Sequence, residues 1–385
     1  MRVVDILKDV CIASYGESAF ERRSEKSVTE LCADACVEAI KRANLEKKDV
    51  DGLLAVPDYV GPDCVMERAS KVADYLGLRP KLMSTMDAGG VATYNQILYA
   101  AFAVATGYAK AVLCISGGKF RARGAPIVSA FTHPEFEAPY GLDMISAYAL
   151  PAVRHMQVYG TTEEQLASVV VSQRKWASKN PNAIFWEPID IDDVLKSPMV
   201  AYPYRLLMCS RPSDGAGALL ITSTKMAKEL GIEPVRILGV GEYHTHGWIM
   251  SIPDLLTLGS REVSLQAYKM AGIKPKDVDV LYLTDPFAFL PIEHLEDCGF
   301  VPKGEGGKFF EEGRGAPGGD LPVNTHGGLL CGVHDGIGPL IHHTIEAVKQ
   351  LRGEAKRRQV DKAEKAFVQM HGGLMQHHAA LILGR

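Results

Sequence analysis

Apolar side chains return every third or fourth position between residues 27 and 44: Val28, Leu31, Cys32, Ala35, Cys36, Ala39 and Ile40. That spacing lines one face of an α-helix, and Ser27 with Glu30 has the spacing of a capping box at its start. Lys48-Asp49-Val50-Asp51 follows, and then Leu53-Leu54-Ala55-Val56, a short unbroken apolar run that predicts a buried strand. The same order returns 228 positions later. Residues 263–271 have helical spacing, Lys276-Asp277-Val278-Asp279 repeats the charges, and residues 280–283 supply the strand.

A second correspondence lies further along. Lys110-Ala111-Val112-Leu113-Cys114-Ile115-Ser116-Gly117-Gly118 matches Lys365-Ala366-Phe367-Val368-Gln369-Met370-His371-Gly372-Gly373. Each follows a predicted helix, over 93–106 and 337–351, and each helix opens after a glycine turn, at Gly89-Gly90 and at Gly336. Two matches in the same order predict a duplicated α/β chain, its halves spanning about 1–225 and 226–385 and packed as one body. Helices alternating with short apolar strands imply mixed sheets covered by helices. The first half carries an insertion over about 119–205, rich in proline, aromatic and polar residues and weak in periodicity. Such an insertion is expected to act as a loop region over an active site.

Composition narrows the function. The 385 residues are 47% apolar and 23% charged, with a net charge of −4 and scattered lysines and arginines. That argues against a nucleic-acid or membrane-surface protein. No apolar run approaches the roughly 20 residues of a membrane span. Charges interrupt the first 16 residues and no small-residue cleavage site follows, so a cytoplasmic address is expected. The eight cysteines stand singly with no CxxC pair, against both a zinc ribbon and a disulfide framework.

The motifs resemble a family. Residues 167–183 (ASVVVSQRKWASKNPNA), Ser197-Pro198, Tyr202-Pro203 and Ser213-Asp214-Gly215-Ala216-Gly217-Ala218 occur in the order found in the thiolase superfamily, specifically its sterol-carrier-protein type. Residues 295–305 (LEDCGFVPKGE) and 321–330 (LPVNTHGGLL) are closer still. The resemblance implies two βαβαβαββ halves, coenzyme A as substrate or product, and a homodimer formed through the first half. It also implies a small OB-fold zinc-ribbon accessory subunit, completing a heterotetramer. In thiolases a cysteine at a helix N-terminus is acylated, a histidine of a Gly-His-Pro turn activates it, and a second cysteine moves a proton. A helix N-terminus suits both a thiolate and an oxyanion.

This sequence departs at both cysteines. Counting back from Ala103-Val104-Ala105-Thr106-Gly107 puts the nucleophile's position at Gly90, and the second cysteine's position falls near Met370 or His371. The usual Asn-Glu-Ala-Phe or His-Asp-Cys-Phe motif reads Thr284-Asp285-Pro286-Phe287. The histidine of the Gly-His-Pro turn survives as His334, in Gly332-Val333-His334-Asp335.

The candidates follow. His334 is read as a general base. Cys331, three residues earlier, is either a relocated nucleophile or a small buried hydrophobe. His371 is placed to polarise a thioester carbonyl or move a proton. Asp285 is read as orienting a histidine, protonating a leaving group, or capping a helix that starts near Phe287. Gly89, Gly90 and Gly373 offer backbone for an oxyanion hole. Tyr243, His244 and His246 are assigned to the substrate cavity in preference to a metal, because the His-x-His pair lacks a recognisable third ligand. Arg174, Lys175 and Lys179 are assigned to the phosphates of coenzyme A, with solvent exposure as the alternative. No metal site is expected.

The leading function is thiolytic cleavage, or the reverse Claisen condensation, of a bulky or branched 3-oxoacyl-CoA. Benzoylsuccinyl-CoA, giving benzoyl-CoA and succinyl-CoA, is the most specific candidate. The alternatives are a retro-aldolase acting on a 3-hydroxyacyl-CoA and a non-catalytic scaffold subunit.

Overall fold

A computed structural model describes residues 3–57, 67–119 and 132–385. Cys64 and the first part of the insertion lie outside the described residues. In chain order the strands are β1 (Val10–Glu17), β2 (Gly52–Ala55), β3 (Leu82–Thr85), β4 (Ala111–Lys119), β5 (Met199–Ala201), β6 (Tyr204–Arg205), β7 (Asp214–Ser223), β8 (Val235–His244), β9 (Val280–Tyr282), β10 (Lys365–Gly372) and β11 (His377–Gly384). The helices are α1 (Val3–Leu7), α2 (Val28–Arg42), α3 (Arg68–Leu76), α4 (Ala92–Ala105), α5 (Met144–Tyr159), α6 (Glu163–Ala177), α7 (Ile191–Lys196), α8 (Thr224–Glu229), α9 (Ser260–Ala271), α10 (Leu290–Asp297), α11 (Gly306–Glu311) and α12 (Ile341–Leu351).

Nine strands form one sheet in the order β3-β2-β4-β7-β1-β8-β11-β10-β9. Its middle is a seam, where β1 meets β8 through only Cys11–Arg236 and Ile12–Val235. Outward from the seam both sides repeat one pattern. β7 pairs antiparallel with both β1 and β4, and then β2 and β3 follow in parallel. Likewise β8, β11 and β10 are antiparallel and β9 is parallel, with Leu281 bridging in parallel to Val323 at the outer position. The repeated Lys-Asp-Val-Asp motif has one job on both sides. Asp51 Oδ1 accepts the N–H groups of Lys110 and Ala111, and Asp279 Oδ2 accepts those of Glu364 and Lys365, so each carboxylate caps the start of the neighbouring strand.

Helices α4 and α12 lie inside the fold. Tyr94, Ile97, Ile341, Ile345 and Val348 share one apolar core with Ile12, Val112 and Ile221 of one side and Val280, Val368 and Leu381 of the other. The opposite face of the first side, through Cys11, Leu113 and Ile115, packs on α2 and α3. Strands covered on both faces need apolar residues at every position, which explains the unbroken runs in the sequence.

Two expectations need correction. α12 begins at Ile341 and not at residue 337, because Gly336 (φ +133°) and Pro339 hold a turn ahead of it. The insertion also holds regular helices. Capping boxes at Asp143–Ser146, Thr162–Gln165 and Asp190–Asp193 start α5, α6 and α7. The periodicity of α6 is weak because Ser168, Ser172, Gln173 and Arg174 are buried along with its apolar residues.

Candidate active site

The strand ends and loops that meet beside α4 enclose a cavity of about 310 Å³. Gly89 and Gly90 form its floor, between β3 and α4, and the turn after β10 brings His371, Gly372 and Gly373 against them. The loop before α12 adds His334, and α5 lays Met144, Ile145 and Tyr148 across the top. Phe287, Leu329, Ile337 and Leu340 make much of the wall apolar. A site of this kind excludes water and strengthens any polar interaction inside it.

The glycines allow two backbone segments to touch. A Cβ at Gly90 would overlap the carbonyl oxygen of His371, and one at Gly372 would overlap that of Ala88. Gly89 (φ +57°) and Gly373 (φ +63°) take the left-handed backbone that favours glycine. The N–H of Gly89 donates to Asp87 Oδ1 at 3.0 Å and is thereby engaged within its own turn.

His334 is held at both ends. Its N–H donates to Ser213 Oγ at 2.9 Å, and its Nδ1 lies 2.8 Å from Ser210 Oγ. With Nδ1–H donated to Ser210, Nε2 carries the lone pair that a base needs. Burial lowers its pKa to about 4, so the imidazole is neutral at pH 7. Next to it, Asp335 Oδ2 lies 2.8 Å from His342 Nε2. Burial opposes charge on His342, but Asp335 and Glu17 outweigh it and raise its pKa to about 9.

His371 Nε2 lies 3.0 Å from the hydroxyl of Tyr148, which also stands 2.7 Å from the carbonyl of Gly373. Burial, followed by the nearby His378, holds the His371 pKa well below the ordinary histidine value. The cavity thus has two neutral imidazoles, one paired with a phenol.

Other expected residues lie elsewhere. Cys331 does not line the cavity: it is fully buried, takes Nε–H of Arg174 at 3.3 Å, and has its thiol pKa raised by burial. A sealed, un-ionised thiol is a poor nucleophile, which corrects the relocated-nucleophile reading. Asp285 is also buried, 3.2 Å from His343 Nε2, and accepts the N–H groups of Leu329 and Leu330. It orients a histidine and caps the 328–332 turn, and it neither faces the cavity nor caps α10.

Arg174 turns inward to Cys331 and the carbonyl of Glu187, so its assignment to coenzyme A phosphates is withdrawn, while Lys175 and Lys179 are exposed. Tyr243, His244 and His246 belong to the end of β8 and the loop after it, and β11 separates β8 from β10. His244 pairs with His377, His246 with the carbonyl of Leu374, and Tyr243 lines a separate depression. They are not part of this cavity.

Among the lining residues that the sequence did not point to, Tyr148, Cys209 and Ser210 carry polar or reactive groups. No local pattern marks them, because only the packing of the insertion on the core brings them to the histidines. Among the described residues Cys209 is the thiol lining this cavity, and burial raises its pKa to about 12.

Residues 241–385 match the family described as thiolase C-terminal domain-like. The acetyl-CoA acetyltransferase of Methanothermobacter thermautotrophicus is 34% identical over 95% of this chain and 97% of its own. The chain belongs to the thiolase superfamily. A second thiolase-superfamily relative, benzoylsuccinyl-CoA thiolase subunit BbsB of Thauera aromatica, is 32% identical over 95% of both chains. The solved Ltp2-ChsH2(DUF35) aldolase superposes with a TM-score of 0.87 at 31% identity, covering 98% of both chains. The α/β fold with its large central sheet is the thiolase fold. Among the described residues no helix is long and apolar enough to cross a membrane.

Proposed function

We propose that this thiolase-superfamily member makes or breaks a carbon–carbon bond in an acyl-CoA by acid–base catalysis, without an acyl-enzyme. One observation carries this: Gly90, which the sequence resemblance aligns with the nucleophile's position, packs against the carbonyl of His371 too closely for a side chain to fit. The best-supported chemistry is retro-aldol cleavage of a 3-hydroxyacyl-CoA. His334 Nε2 takes the 3-hydroxyl proton, the C2–C3 bond breaks, and a carbonyl forms at C3. The electron pair passes to the thioester as an enolate, held by the backbone of Gly90 and Gly373, and Tyr148 with His371 returns a proton to C2.

Thiolysis of a 3-oxoacyl-CoA, the leading expectation from the sequence, becomes the second reading. It is favoured by His334, whose motif Gly332-Val333-His334-Asp335 resembles the Gly-His-Pro turn of thiolases. Without an acyl-enzyme, however, the attacking coenzyme A and the acyl-CoA must meet in one cavity of about 310 Å³, near the lower end for a site holding one ligand. Benzoylsuccinyl-CoA remains a candidate substrate for that reading. A non-catalytic scaffold has less support, since the polar groups converge on an accessible cavity.

The proposal extends to assembly as a homodimer through the first half, with a small OB-fold zinc-ribbon subunit beside it. The superposed Ltp2-ChsH2(DUF35) aldolase, whose name includes a DUF35 component, supports such a partner. The deciding experiment supplies the protein, with and without that partner, with matched 3-hydroxyacyl- and 3-oxoacyl-CoA thioesters, the latter with free coenzyme A. A ketone or aldehyde and a shortened acyl-CoA from the 3-hydroxy substrate alone is the expected result. Turnover of the 3-oxo substrate alone would establish thiolysis instead.

A further inference from the structure

Behind His371 runs a line of buried polar side chains that the cavity chemistry has not used. His371 Nδ1 lies 3.0 Å from His294 Nε2, and His294 Nδ1 lies 2.9 Å from Ser260 Oγ. Ser260 Oγ lies 3.1 Å from His378 Nδ1, and His378 Nε2 lies 2.7 Å from the carbonyl of Met375. At the cavity end, the Tyr148 hydroxyl reaches both His371 Nε2 and the Gly373 carbonyl. Ser260, His294, His371 and His378 are all at most 3% exposed.

Counting protons shows what the line can do. Tyr148, Ser260 and the three neutral imidazoles carry one exchangeable proton each, five in all, for six contacts. One contact must go without. If Tyr148 donates to Gly373, the empty contact falls at one of the other five, all of them buried, as at Ser260–His378, where two lone pairs would face each other. If Tyr148 donates to His371 Nε2, every later proton points away from the cavity. Ser260 then accepts from His294 and from Gln369 Nε2, 2.9 Å away, and donates to His378. The contact left empty is the Gly373 carbonyl, at the cavity wall, where a ligand or water can supply a donor. Leaving the exposed acceptor unfilled costs least.

We propose that Tyr148, His371, His294, Ser260 and His378 form a proton relay, in which His371 rests with its proton on Nδ1 and its Nε2 lone pair toward Tyr148. His371 is the member at the cavity wall; His294, Ser260 and His378 are positioning residues acting through it. When a proton arrives at His371 Nε2, His371 passes its Nδ1 proton to His294 Nε2. His294 passes its own to Ser260, and Ser260 passes its hydroxyl proton to His378 Nδ1. Each intermediate member gains one proton and loses one, and the charge ends on His378, away from the substrate. The reverse sequence, starting from the line with His378 protonated, delivers a proton to the cavity as cleavage requires, whereas the resting line accepts one as the condensation direction requires. With one extra proton every contact is filled.

The surroundings favour an uncharged resting line. Burial, then His371 and His378, holds His294 well below the ordinary histidine value, and Lys303 adds to this. Burial lowers His378 to about 4, opposed by the Met375 carbonyl and assisted by His246, His377 and His244. The nearest carboxylates, Glu293 and Asp297, flank His294 on α10 and are each held 2.8 Å from Lys303; Glu296 pairs with His155. Glu293 and Asp297 are engaged with that ammonium and Glu296 with His155, so none is drawn into the line.

The proposal uses the carbon–carbon chemistry only to say what the proton is for, so its test does not measure activity. Ring nitrogens of ¹⁵N-histidine-labelled protein report tautomers directly, with assignments from single histidine variants. Wild type is expected to show His371 protonated on Nδ1. In Ser260→Ala the His294 Nδ1–H loses its acceptor, so His294 should move its proton to Nε2 and His371 should switch to the Nε2–H tautomer. Ser260→Thr, which keeps the hydroxyl, should keep the wild-type tautomer. If Ser260→Ala does not fold, His378→Phe releases the Ser260 proton for His294 and should cause the same switch. His371 protonated on Nε2 in wild type, or an unchanged tautomer in the folded variant, would overturn the relay while leaving the cleavage chemistry to be judged on its own.

Discussion

The backbone of Gly90 packs so closely on the carbonyl of His371 that a Cβ at residue 90 would overlap that oxygen and stand 3.1 Å from Leu340 Cδ1. The position that the sequence resemblance aligns with the thiolase nucleophile is therefore closed to a side chain unless the backbone shifts. Restoring the thiol by Gly90→Cys is expected to destabilise the protein by about 1–3 kcal/mol, the usual range for overpacking, and to yield no acyl-cysteine. Thermal unfolding and intact-protein mass spectrometry after incubation with an acyl-CoA check both outcomes. An acyl adduct on residue 90 with an unchanged melting temperature would show that the turn after β10 yields easily.

His334→Ala should lower kcat by roughly 10²–10⁴-fold, the ordinary worth of a general base, with unfolding behaviour unchanged. The pH profile is the sharper test. Because burial lowers the His334 pKa to about 4, the base is deprotonated well below the usual histidine range. The acidic limb of kcat/KM should fall near pH 4, and a limb near 6.5 would indicate another base or a solvated imidazole.

Neither nearby thiol is expected to matter chemically. Burial raises the Cys209 thiol to about 12 and also raises Cys331, so thiolate is scarce at neutral pH. Cys209→Ser and Cys331→Ser should each keep most of the activity. A near-complete loss in either, with an acyl adduct on that cysteine in the parent, would replace the acid–base reading with a covalent one.

The His342–Asp335 pair, 2.8 Å apart, should make stability depend on alkaline pH. The folded pKa of His342, about 9, lies above the ordinary 6.5. Its contribution is thus complete below about pH 6.5 and is lost as pH rises through 9. A loss of on the order of 2 kcal/mol is expected between pH 6.5 and 9.5 in urea unfolding. Most of that loss should be absent in His342→Gln.

What could be read from the sequence was what depends on local order. The Lys-Asp-Val-Asp repeat marked equivalent strand starts because Asp51 and Asp279 cap backbone only a strand away in the sheet. Unbroken apolar runs marked strands covered on both faces, and His334 with Gly89-Gly90 stood in motifs whose neighbours fix their place. Tertiary structure decided the rest. Cys331 and Arg174 carry the right chemistry, but each spends it on the other inside the core. Tyr243, His244 and His246 sit near the end of a strand that β11 holds apart from the cavity. Tyr148 reaches His371 from 223 positions away, on a helix whose sequence shows only its own cap. Side-chain type and spacing record what a residue does with its neighbours in the chain; which distant group it meets depends on how layers pack, and no local pattern carries that.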